Sequence, residues 1–247
     1  MRFFVTEERV SGGSIDLEPT DAQHIARVLR MRPGEEITVC CGDGQAWRCV
    51  LEQVEKNRVI ARQLVAEPFD NEPTAFVTVY AGLSKGDRFD YLIQKSVECG
   101  VSHIVPFTSQ HCVVRLEERD LEKKRQRYAR IALEASKQCQ RSRAVTVGEI
   151  VSFERALEQA AQSDCGLFLY EKEQQRSLSS VLHGRKGGRF AVVTGPEGGF
   201  SPREAVLAQE AGLECVSIGP RILRCETAPV AALCAIMYET GNFDIGE

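Results

Sequence analysis

No apolar run in this sequence approaches the roughly 20 residues that a membrane-spanning helix needs, so no membrane segment is expected. The opening stretch MRFFVTEERVSGGS lacks the apolar core of a secretory signal. The chain therefore reads as a protein made and kept in the cytoplasm. No C-x-x-C pair occurs among the ten cysteines, and only Cys40 and Cys41 lie close together. Zinc sites need closely spaced ligand pairs, so no metal is expected. Cys215 in LECVSI and Cys234 in AALCAIM sit inside apolar runs, where a free thiol behaves as a small hydrophobe. Reduced, structural thiols are the expectation. Phosphate fingerprints are missing as well: neither G-x-x-x-x-G-K-[ST] nor G-x-G-x-x-G occurs.

What remains is an ordinary globular composition. Hydrophobic residues make up 43% and charged residues 27% of 247, enough for one large domain or two smaller ones. The net charge is −4, and a uniformly acidic surface would repel a polyanion. The charge is uneven, however. From Arg115 to Arg143 ten Lys or Arg stand against five Asp or Glu. That stretch fits either a surface for a polyanion or a solvated helix face with ordinary ion pairs.

Two textures divide the chain. Residues 1 to about 66 read as β-rich, with a hairpin turning at Gly42-Asp43-Gly44. One short helix, about Asp21 to Arg30, interrupts them, with Ile25, Val28 and Leu29 at helical spacing. EPFDNEP (67–73) carries two prolines and no periodicity, and is read as the linker. From Ala75 strands alternate with helices. AFVTVYAGL, SHIVPF, GLFLY, RFAVVTG and ECVSIG are strand-like. In GDRFDYLIQKSVECG, Phe89, Leu92, Ile93 and Val97 share a helix face that Gly100 can close. Such alternation predicts an α/β fold with a largely parallel sheet. Ser201-Pro202-Arg203-Glu204 reads as a capping box, with Gly212 ending that helix. Thr227 can cap a last helix that is apolar around much of its circumference, through Ala228, Val230, Ala231, Ala232, Ala235 and Ile236. A helix of that kind is buried, in the core or against a second copy of the chain.

Ligands of open α/β sheets bind at the carboxyl ends of the strands, and two such ends carry unusual loops. Thr194-Gly195-Pro196-Glu197-Gly198-Gly199-Phe200 follows RFAVVT. Ile218-Gly219-Pro220-Arg221-Ile222-Leu223-Arg224-Cys225-Glu226-Thr227 follows ECVSI. Glycines permit close backbone approach, and prolines stiffen the chain. Glu197 would oppose a phosphate and suits a cationic ligand. Taken alone, a GPEGG segment is more often a tight strand-to-helix turn.

Together, TGPEGGFSPREAVLAQEAG and VSIGPRILRCETAPVAAL resemble the C-terminal signature of the SPOUT methyltransferases. More narrowly, they resemble the family that methylates N3 of a uridine in 16S ribosomal RNA. LSKGDRFDYLIQKSVECGVSHIVPFTSQHCVVR and RIALEASKQCQRSRAV are similar to that family's upstream segments, and HIARVLRMRPGEEITVCCGDG resembles its PUA-like barrel. The likeness covers nearly the whole chain. It implies a PUA-like RNA-binding β-barrel over 1–70 and a SPOUT methyltransferase domain over 73–247, whose parallel sheet ends in a trefoil knot. It also implies S-adenosyl-L-methionine as cofactor, contacted mostly by backbone, and a homodimer acting on 16S rRNA of the small ribosomal subunit. The matching cofactor positions are Leu169, Thr194, Gly195, Glu197, Gly199, Ile218, Gly219 and Leu223. The chain departs from the family at Cys225, commonly threonine, and at Gln110-His111, often a Glu-Arg pair; no role is carried onto His111.

For the chemistry, Arg224 is the candidate for orienting the uracil, and Glu197 is a candidate base. Arg30, Arg32, Lys85, Arg141 and Arg221 are candidate RNA contacts. Cys225 beside Arg224 could serve as a covalent nucleophile, but N3 methylation needs no such adduct, and a structural thiol is expected. Three alternatives stay open: an RNA-binding or chaperone-like module without catalysis, the same enzyme class with another RNA target, and a nucleotide-dependent α/β enzyme.

Overall fold

The computed structural model describes residues 1–41, 45–67, 71–113 and 118–244. The expected turn at Gly42-Asp43-Gly44, the middle of the expected linker and residues 115–117 of the basic stretch lie outside the described residues. The chain forms two compact units. One is Met1–Glu72 with Ser136–Ala144; the other is Pro73–Ala135 with Val145–Glu247.

In the first unit, β1 (Arg2–Val5), β2 (Val10–Ser11), β3 (Ser14–Asp16), β4 (Glu36–Cys41), β5 (Ala46–Val54) and β6 (Val59–Glu67) form one sheet in the order β1-β4-β5-β6-β3-β2. Antiparallel pairing of β4 with β5 runs from Glu36↔Val50 to Cys40↔Ala46. Alternate residues point inward, so Ile37, Val39, Cys49, Leu51 and Val59 meet Phe3 and Ile15 in a single core. The predicted helix begins slightly earlier, as α1 (Pro19–Gln23), and continues over His24–Leu29 in wider i→i+5 turns. It ends at Arg30, whose φ is +54°. The wide turns rotate Val28 off the buried face: Ile25 is buried, whereas Val28 is 66% exposed. The expectation of a single apolar face through Val28 fails for that reason.

Ser136–Ala144 is held to this unit by charge. Arg141 donates to Glu72 Oε2 at 2.7 Å, and the N–H groups of Ser142 and Arg143 donate to Glu72 Oε1 at 2.8 and 3.1 Å. Lys137 pairs with Asp21 at 2.6 Å. Burial alone would raise the Glu72 carboxyl. The Arg141 hydrogen bond and charge, with the two backbone donors, outweigh it and hold the group below its ordinary value.

The second unit is a parallel sheet. Its strands are β7 (Phe76–Gly82), β8 (His103–Thr108), β9 (Thr146–Val147), β10 (Val151–Ser152), β11 (Cys165–Leu169), β12 (Arg189–Thr194) and β13 (Glu214–Val216). The order is β10-β8-β7-β12-β11-β13, with β9 also on β8. All five strands read from the sequence are present. Between β7 and β8 lies α2 (Arg88–Glu98), which buries Phe89, Leu92, Ile93 and Val97 and closes at Gly100, φ +92°. The next helices are α3 (Glu118–Gln138), α4 (Phe153–Ala160), α5 (Leu178–Leu182), α6 (Pro202–Glu210) and α7 (Ala228–Glu239). The Ser201–Glu204 capping box opens α6 as expected. Thr227 precedes α7, but its side chain makes no cap bond; its N–H and that of Ala228 donate to Arg224 O instead. One face of α7 is buried through Pro229, Ala232, Leu233, Ile236 and Met237, while Tyr238 is 77% exposed.

Several cations of the basic stretch have acidic partners. Besides Lys137 and Arg141, Arg125 pairs with Glu122 and Arg127 with Asp90. For these residues the ion-paired reading holds.

Breaking a buried ion pair from one side leaves its partner uncompensated, so Glu72→Ala should cost about 3 kcal/mol in urea unfolding. Because the folded carboxyl lies below its ordinary value, its stabilisation is full above the unfolded pKa and is lost as pH falls through the folded one. The gap between wild type and variant should therefore narrow below about pH 4. A constant gap down to strong acid would contradict the assignment.

Candidate functional site

Because the sheet is parallel, β7, β11, β12 and β13 all end at one edge. A cavity of about 550 Å³ lies there, walled by the ends of β11 to β13 and the two loops that follow β12 and β13.

The loop after β12 is fixed by close contact. A Cβ on Gly82, at the end of β7, would stand 2.6 Å from both N and Cδ of Pro196. Only glycine lets Pro196 lie against the strand. Gly199 N donates to Pro196 O at 2.9 Å, and Gly199 adopts φ +63°. Phe200 then drops into the core, 4.2 Å between ring centroids from Phe168. His111 supports the outer side, its Nδ1 lying 3.0 Å from Gly198 O. The loop after β13 turns at Gly219, φ +108°. Ser217, at its start, is held by Leu178 N donating to Ser217 O and Ser217 N donating to Arg176 O.

Leu169, Thr194, Gly195, Glu197, Gly199, Ile218, Gly219, Leu223, Arg224 and Arg221 all line this one cavity. Of the other sequence candidates, Lys85 has an exposed side chain, and its N–H donates to Glu197 Oε1 at 2.7 Å. Arg30 and Arg32 are exposed on the first unit. Arg141 is a correction: it is 6% exposed and paired with Glu72, so it is a structural cation and not a surface contact.

Glu197 is the electrostatic centre of the site. Arg88 Nη1 lies 3.2 Å from the same Oε1 that Lys85 N–H reaches. Glu197 Oε2 is buried and has no hydrogen-bond partner among the described residues. Cys225 lies nearby with its thiol donating to Glu226 at 3.2 Å. Burial first, then that hydrogen bond and the charges of Glu226 and Glu197, push the thiol up to about 12. A thiol so disfavoured as thiolate is a poor nucleophile near neutral pH.

Sequence reasoning missed Arg88, Tyr170 and Glu171 in the cavity wall and the support from His111. Arg88 and Glu171 follow the carboxyl ends of β7 and β11, so the strand-end rule applied to every strand would have found them. The contact of His111 with Gly198 spans 87 positions and has no sequence signal.

A model of the RNA methyltransferase domain matches residues 70–237, and a model of the RNA methyltransferase PUA domain matches residues 17–64. Ribosomal RNA small subunit methyltransferase E of Bacillus subtilis (strain 168) is 33% identical over 97% of this chain and 96% of its own length. The crystal structure of a ribosomal RNA small subunit methyltransferase E from Neisseria gonorrhoeae, bound to S-adenosyl methionine, aligns with a TM-score of 0.87 at 34% identity over 96% of each chain. A Legionella pneumophila structure in complex with the bound cofactor SAM gives 0.86 at 29% identity, again over 96% of each chain. With both domain models and full-length likeness in agreement, this chain belongs to the RNA methyltransferase family that includes the ribosomal RNA small subunit methyltransferases E.

Proposed function

We propose that the protein transfers a methyl group from S-adenosylmethionine to N3 of a uridine in 16S ribosomal RNA of the small subunit. It would act in the cytoplasm as a homodimer, with a trefoil-knotted C-terminal segment as its cofactor cradle. The observation that carries the reading is the strand-end cavity, which Glu197 lines together with two glycine-proline loops. The carboxylate of Glu197 in the wall would attract a cationic ligand. The loop packs closely on itself, since a Cβ at Gly195 would press within 3.2 Å of the Gly199 backbone, and a backbone so fixed suits a ligand held by main-chain contacts.

S-Adenosylmethionine, when bound, supplies a methyl group on a positively charged sulfur. Leu169, Thr194, Gly195, Gly199, Ile218, Gly219 and Leu223 would hold it, and Glu197 would answer its charge. Lys85 N–H and Arg88 fix that carboxylate through Oε1. Arg224, exposed at the cavity, would orient the uracil and stabilise the negative charge that develops on the ring oxygens as N3 loses its proton. Glu197 is the candidate base for that proton. Positioning of the uracil by the cavity residues would supply much of the rate. A paired uridine must leave its stack before N3 is reachable, so the target is single-stranded or flipped.

Arg30, Arg32, Lys85 and Arg221, all exposed, are the proposed RNA contacts. Homodimer formation would cover the outer side of α7, where Tyr238 is exposed and Val230, Ala231 and Ala235 are half-buried.

Four outcomes test this reading. Ribosomal RNA mass-mapped from cells lacking the protein should miss one methyl group on a 16S uridine; unchanged 16S RNA would sink the proposal. In calorimetry Glu197→Gln should weaken S-adenosylmethionine binding about tenfold. Arg224→Ala should leave cofactor affinity alone and lower kcat on the order of 10²-fold; equal losses of kcat and affinity would argue against a role at the uracil. Finally, Cys225 should resist iodoacetamide at pH 8, read by peptide mass, because its thiolate is scarce. Rapid labelling would reopen the covalent route.

A further inference from the structure

We propose that Glu171 reads the ribose hydroxyls of the bound methyl donor, an inference that rests on the methyl-donor reading above. Glu171 leaves the end of β11 and lines the cavity. Its carboxylate makes no hydrogen bond or ion pair with the described residues, unlike Glu197, whose Oε1 holds two donors. Its place is set by Gly199. A Cβ there would stand 3.0 Å from Glu171 Oε1 and 3.4 Å from Oε2. The missing side chain thus lets both oxygens lie close over the loop backbone.

The sheet order gives this carboxylate a middle position. Strand ends follow one another as β7, β12, β11, β13. The charged pair Arg88–Glu197 belongs to the β7 and β12 ends. Val216 and Ile218 bring apolar surface from β13 and its loop, beside Leu169 of β11. A ligand lying across these ends with its cation toward Glu197 and its heterocycle over the apolar side puts its sugar in between. There Glu171 offers two acceptor oxygens and no donor. Two adjacent hydroxyls are two donors at matching spacing, so a vicinal diol is the neutral group that satisfies both.

The test uses the full-length protein and 5′-methylthioadenosine, which has the base, the sugar and the sulfur but no amino acid. Wild type should bind it about tenfold more tightly than its 2′-deoxy or 3′-deoxy counterpart, the usual weight of a hydrogen bond to a charged group. Glu171→Gln should shrink that gap to about twofold with an unchanged thermal midpoint, and Glu171→Asp should restore part of it. A gap that survives in Glu171→Gln overturns the assignment. So does a variant that loses S-adenosylhomocysteine affinity but keeps that for methylthioadenosine, since Glu171 would then be serving the amino group. If wild type binds neither S-adenosylmethionine nor S-adenosylhomocysteine, the methyl-donor reading itself fails and takes this inference with it.

Discussion

The close approach of Pro196 to Gly82 is the constraint on which the site depends. No side chain larger than hydrogen fits between the end of β7 and the loop after β12. Around this contact the loop has further anchors. Phe200 is sunk in the core among Phe107, Phe153 and Phe168, and His111 meets Gly198. A loop fixed at so many points presents its backbone in one shape, so little conformational entropy remains to be lost when a ligand binds. The cavity owes its form to that rigidity.

Rigid backbone by itself does not choose a ligand; the charges do. Glu197 has one oxygen occupied by Arg88 and the Lys85 N–H, which fixes the carboxylate, while the other oxygen has no partner among the described residues. A phosphate would meet repulsion there, whereas a cation or donor is welcomed. Arg221 and Arg224 bring positive charge to the same cavity, and positive charge suits an RNA phosphate or a developing anion on the base. The chain's overall acidity is thus compatible with a polyanionic substrate, because local sign governs the encounter. Part of the basic stretch serves a different purpose. Lys137 and Arg141 are ion-paired to Asp21 and Glu72 inside the first unit, and they stabilise fold and not recognition.

Much of this was legible in the sequence, for identifiable reasons. The five buried strands of the second unit are apolar runs bounded by turn residues, and parallel order follows from their alternation with helices. The capping box at Ser201 is a local code, read four residues at a time. Two glycine-proline loops at strand ends drew attention to the site, and nine of the ten candidates that line the cavity lie on them; Leu169 of β11 came from the family resemblance alone. What escaped was long-range or depended on backbone detail. Nothing local announces that Arg141 pairs with Glu72 across 69 positions. The wide turns that expose Val28 break the 3.6-residue period on which the helix reading relied. Thr227 has a capping side chain, yet that side chain makes no cap bond.

The central claim is that loop position, set at Gly82, creates the cofactor cavity. The most direct measurement is S-adenosylmethionine affinity by calorimetry for Gly82→Ala, with circular dichroism to verify that the sheet remains. The account predicts a loss of affinity of at least about tenfold in a folded protein, because a methyl group at this position must displace the Pro196 backbone. Wild-type affinity in a folded Gly82→Ala protein would contradict it.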